Sequence, residues 1–70
     1  MSESVYKIIE LVGTSDVSWE KAVENAVLRA SRTLRDLRVA EISKLDVTIK
    51  DGKVESFRAR VTLSFKYKDS

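Results

Sequence analysis

Asp51-Gly52 is the strongest local instruction in this sequence. The dipeptide suits a two-residue type I′ turn, in which both central residues take positive φ and the flanking strands keep their natural twist. The residues on either side agree with it. Phe57, Ala59, Val61, Leu63, Phe65 and Tyr67 alternate with Arg58, Arg60, Thr62, Ser64 and Lys66, which describes a strand with one apolar face. Before the turn, Ala40 and Ile42 share one parity while Leu45, Val47 and Ile49 share the other, so a bulge or bend is expected at Ser43-Lys44. A regular hairpin also sets Phe57 opposite Asp46, apolar against acid, and a second irregularity is therefore expected near Glu55-Ser56. Both strands run to about 12 to 15 residues, against a usual mode of 5 or 6.

A further strand is read at Val5-Tyr6-Lys7-Ile8-Ile9-Glu10-Leu11-Val12. It is apolar on both faces, with Val5, Ile9 and Leu11 on one and Tyr6, Ile8 and Val12 on the other. Such a strand needs cover on both sides. A chain of 70 residues supplies one layer easily, and the second points to a subunit contact. Gly13-Thr14-Ser15-Asp16 then forms a turn. Either Asp16 or Ser18 suits the N-cap of a helix beginning near Trp19. From Trp19 the apolar positions fall at Ala22, Val23, Ala26, Val27, Ala30, Thr33, Leu34 and Leu37, the stripe of an amphipathic helix. The stripe predicts a helix of roughly 18 residues, or about 27 Å. Its three alanines allow close approach to a sheet. The expected fold is α+β in the order β-α-β-β: one domain over residues 1–70, with one amphipathic helix on a three-stranded antiparallel sheet and a long curved hairpin at the end.

Composition sharpens the need for a partner. A chain of about 60 residues hides only about 60% of its unfolded surface, and the usual remedies are disulfides, a structural metal or another chain. With no cysteine and no histidine, disulfides and ordinary zinc sites are excluded. Self-association or an oxygen-ligated metal remains. The net charge of +2 is no argument for nucleic acid, and none is expected as a partner. Met1-Ser2-Glu3-Ser4 lacks the features of a signal peptide, and no apolar run approaches a membrane span, so a cytoplasmic protein is expected. Hydroxyls and lysines are plentiful, but no spacing sets a base beside them, and Gly13-Thr14-Ser15 lacks the glycines of a phosphate loop. An enzyme is not expected.

Two groups of residues invite a functional role. Trp19, the single tryptophan, opens the helix stripe and is read as packing in the core or at an interface. Arg29, Arg32, Arg35 and Arg38 suit an anion site, or else a solvated helix end paired with Asp36 or a neighbouring subunit. Without interleaved aromatics the second reading is preferred.

Several motifs together resemble one family. The Val5-Tyr6-Lys7-Ile8 strand, the Gly13-Thr14-Ser15 turn, Ser18-Trp19-Glu20-Lys21-Ala22 and the closing Val61-Thr62-Leu63-Ser64-Phe65 strand are similar to a dodecin, over about residues 5–66. The resemblance implies a β-α-β-β subunit of a hollow homododecamer that binds or stores a small ligand. In flavin-binding dodecins a tryptophan within Leu-x-Trp-Phe-Glu stacks on the flavin ring. Here that stretch is Leu37-Arg38-Val39-Ala40-Glu41, so Val39 replaces the indole and offers no π face. A family glutamine on the last strand is replaced by Arg58, which cannot accept a hydrogen bond. Lys44 stands where an acid often lies near magnesium. FMN or riboflavin is therefore not the expected ligand. Arg38-Val39-Ala40 with Ser18-Trp19-Glu20 is most similar to the calcium-dodecin branch, which implies calcium, with Asp46 and Glu41 as first candidate ligands and Glu10 next. Calcium takes 6 to 8 oxygens, and without an EF-hand loop the site is expected across subunits. Alternative readings are a structural or regulatory protein-interaction assembly, of the kind given secretion-related names, and a flavin store with an altered pocket.

Overall fold

The structure, a computed structural model, describes residues 5–66; residues 1–4 and 67–70, Tyr67 among them, lie outside the described residues. Its elements run β1 (Tyr6–Ser15), α1 (Trp19–Ser31), β2 (Leu37–Lys50) and β3 (Lys53–Lys66). The sheet order is β1-β3-β2 with both pairings antiparallel, so the last strand is the central one. The turn is of the expected kind, with φ of 53° at Asp51 and 75° at Gly52.

Both expected irregularities are present. Ile42 pairs with Val61 and Lys44 with Arg60, which leaves Ser43 as an extra residue in β2. Thr48 pairs with Ser56 and Ile49 with Val54, which leaves Glu55 extra in β3 and sets Phe57 opposite Val47 instead of Asp46. A third shift, between Leu37 and Val39, was not expected from the sequence. Through these bulges Ala40, Ile42, Leu45, Val47 and Ile49 all share the face of β3 that carries Ala59, Val61 and Leu63.

The helix is shorter than its stripe. Ser18 is the N-cap, its hydroxyl accepting from Lys21 N at 3.0 Å. The helix ends at Ser31, where Thr33 N and Leu34 N both donate to the Ala30 carbonyl. Asp36, at φ 60°, then turns the chain into β2. Leu34 still packs against the core and Leu37 opens β2, so apolar spacing continues past the point where the backbone leaves the helix. The arginine row is divided in consequence. Arg29 lies in α1, Arg32 caps it, Arg35 is in the turn, and Arg38 is the extra residue at the start of β2. Among the described residues no ion pair joins any of them to Asp36.

Helix α1 lies over β1 and β3, and its buried stripe is Ala22, Ala26 and Ala30. Against it sit Ala59, Val61 and Leu63, with Ile9, Leu11, Val23, Val27, Leu34 and Leu37 packed around. Gly13 makes this approach possible: a Cβ there would strike the Ala22 backbone carbonyl and touch the Ala26 methyl. The core is small because alanine supplies most of it. Thirteen helical residues span about 20 Å and fourteen strand residues about 46 Å, so the hairpin outruns its cover. Ile42, Leu45, Ile49 and Val54 are left exposed on the helix side. No helix among the described residues is long and apolar enough to cross a membrane.

Candidate functional site

The face of the sheet away from the helix is open, and every residue singled out for ligand or metal lies on it. Strand pairing arranges this face in rows, each taking one residue from β1, β3 and β2 in that order. Ile8, Ser64 and Val39 form one row; Glu10, Thr62 and Glu41 the next; then Val12, Arg60 and Lys44; then Thr14, Arg58 and Asp46. Successive rows are about 6.6 Å apart, two residues of strand rise. Val39 and Arg58 are therefore about 20 Å apart on one chain, too far for a single ring system to touch both. A pocket using both positions has to form between copies. Ile8, Val12 and Val39 give the face apolar ground, Ile8 being 63% exposed and Val39 58%.

Two of the predicted residues meet directly. Arg58 Nε donates to Asp46 Oδ1 at 2.7 Å and its Nη2 to Oδ2 at 2.9 Å, a two-point fork. The hydrogen bond from Arg58 holds the Asp46 carboxyl below its ordinary value, partial burial opposes the shift, and the charges of Arg58 and Arg60 reinforce it. Arg58 is raised in turn by the same hydrogen bond. The pair is exposed and so contributes modestly to stability. Its sign is definite. An acid whose folded pKa is depressed contributes stability that is present above its unfolded value, near 3.8, and is lost as pH falls through the folded value. The melting temperature of wild type should thus exceed that of Arg58→Gln by a constant margin near neutrality. Thermal melts taken below pH 3.8 should show the margin closing; a margin that widens in acid would contradict the assignment.

The pair is also tied to the helix. Trp19 Nε1 donates to the Asp46 carbonyl at 3.0 Å, and the indole stands edge-on to Phe57 with centroids 5.1 Å apart. Trp19 therefore packs, as its place in the stripe suggested, and it bridges the helix start to both strands of the hairpin. Sequence reasoning did not connect it with Asp46, although correcting the register at Glu55 brings Asp46 opposite Arg58, next to Phe57. Two hollows lie elsewhere. One of about 340 Å³ opens alongside β1 and the helix, with Asn25 and Arg29 on its wall, and one of about 120 Å³ is lined by Val39, Leu37 and Val27.

One chain does not by itself fit either family ligand. For flavin, Val39 gives no stacking surface, and Arg58 is committed to Asp46. For calcium, both Asp46 oxygens are engaged, and no three acids gather among the described residues. Of the predicted ligands, Glu41 and Glu10 make no ion pair among the described residues and lie on either side of Thr62.

The fold is shared with known proteins. Residues 5–68 match the family model described as Dodecin. The protein named calcium dodecin from Mycobacterium tuberculosis is 40% identical over 63 residues, covering 90% of this chain and 89% of that one. A dodecin structure from Streptomyces coelicolor superposes over the full length of both chains with a TM-score of 0.93 and 40% identity. The structure of the M. tuberculosis calcium dodecin, described as calcium chelating with a novel calcium-binding site, gives 0.83 and 41% over 96% of each chain. A match over nearly the whole length, shared with relatives of the same size and fold, makes this chain a member of the dodecin family.

Proposed function

We propose that this chain is the subunit of a cytoplasmic homododecameric shell that acts by binding and storage, with little or no affinity for flavin and with calcium as its cation. The observation that carries the flavin-poor reading is the occupied Arg58–Asp46 fork, combined with Val39 in place of an aromatic. Assembly is supported by the uncovered apolar residues on both faces of the sheet and by the roughly 20 Å that separates Val39 from Arg58 within a chain. Calcium is supported by similarity to a relative that bears its name, and by an oxygen-only ligand set. Its ligands are proposed to come from several copies, with Glu41 from each and Asp46 once Arg58 releases it.

Light scattering tests the shell: a mass twelve times the chain's 7.9 kDa is expected, and a monomer would sink the proposal. The cation is tested on the same sample by melting with and without calcium. Saturating calcium should raise the melting temperature by roughly 5 °C or more, and a chelator should abolish the rise. An unchanged melt removes calcium from the proposal while leaving the shell standing.

A further inference from the structure

The open face carries its charge in bands. Arg60 and Lys44 stand directly opposite one another in neighbouring strands, like charge against like, an arrangement that is unfavourable when nothing lies between them. Both are exposed, and among the described residues no carboxylate lies within ion-pair distance of either. The placement is set from the turn: the extra residue Glu55 brings Asp46 opposite Arg58 and, two residues on, Lys44 opposite Arg60 on the open face. Ser43 then steps out of the ladder beside them, its hydroxyl donating to the Arg60 carbonyl at 3.1 Å.

One row further along, Arg58 already grips an anion on that face, the Asp46 carboxylate. A guanidinium fork that fits a carboxylate in two-point contact fits two oxygens of a phosphoryl group equally well. Three cations and one carboxylate leave a dianion's worth of positive charge uncompensated across these two rows. The acidic row of Glu10 and Glu41 borders Arg60 from the other side, which confines an anion to the space over Arg58, Arg60 and Lys44.

We propose that Arg58, Arg60 and Lys44 form a binding site for a dianionic oxyanion of the phosphate type, with Asp46 as its built-in competitor. The ligand bridges Lys44 and Arg60, relieving their repulsion, and takes over the Arg58 fork from Asp46. The site shares Asp46 with the calcium proposal, so the anion is titrated into chelator-treated protein, where its binding is read without the cation.

Calorimetric titration of the assembled protein with inorganic phosphate at low ionic strength tests it, with glycerol 2-phosphate in a parallel arm to distinguish a free anion from a monoester. Saturable binding is expected in wild type. Asp46→Asn keeps the shape but removes the competing charge, and should tighten binding about fivefold or more. Lys44→Gln should weaken it by a similar factor. Lys44 makes no ion pair among the described residues, so this variant is expected to fold and assemble as wild type, which light scattering checks. Absence of binding in both wild type and Asp46→Asn overturns the proposal. Binding that Asp46→Asn leaves unchanged or weakens overturns it too, as does binding indifferent to Lys44→Gln.

Discussion

Gly13→Ala is expected to lower the melting temperature by about 10 °C or more, or to leave the protein unable to fold. The position has no unusual backbone angle to blame; the reason is proximity. An added methyl would enter the space of the Ala22 carbonyl, and the next atom it meets is the Ala26 methyl. A backbone carbonyl inside a helix cannot swing aside as a side-chain tip can, so helix and β1 must separate. That separation opens the small alanine-lined core along its length, at a cost of about 2 to 3 kcal/mol. Gly52→Ala is the control. It meets nothing within 4 Å and suffers only from its φ of 75°, which should cost about 1 kcal/mol. If the two variants melt alike, close packing at Gly13 is not what limits stability.

The second large effect is a gain. Val39→Trp combined with Arg58→Gln should give a protein that quenches riboflavin fluorescence at micromolar concentration, where the wild type is expected to alter it little. The indole restores a flat π surface for stacking. Glutamine restores a group that both donates and accepts, where arginine only donates. The gain should be at least about tenfold in affinity, and larger than for Val39→Trp alone, because Arg58 otherwise remains locked on Asp46. Unchanged quenching in the assembled double variant would mean that Val39 and Arg58 do not face one ligand across copies.

Much of this fold was legible because strands betray their errors. Parity admits only two states, so the apolar switch around Ser43 and the mismatch of Phe57 with Asp46 each demanded an extra residue, and each bulge is there. The helix was less legible. Leu34 lies four residues after Ala30 and turns inward even though the backbone has left the helix, so spacing alone ran the element on to Leu37. That misassignment also concealed the bulge at Arg38: with Leu37 counted as helical, its parity conflict with Ala40 and Ile42 went unseen. The site residues were individually visible, but not their relations. That Asp46 and Arg58 neutralise one another, and that Lys44 confronts Arg60, emerges only from the register once the extra residue at Glu55 is counted.

The position of β3 in the sheet has a consequence for biosynthesis. The strand made after all the others is the one in the middle, bonded to β1 on one side and β2 on the other. It also carries Ala59, Val61 and Leu63, half of the buried core. While these elements are emerging from a ribosome, β1 and β2 lack their ladder partner and the helix has only β1 to pack against. The nascent chain thus presents two unpaired strands and an alanine-striped helix over half a core, and the sheet completes when β3 arrives. Folding of this domain thereby waits until β3, the last of its four elements, has left the ribosome.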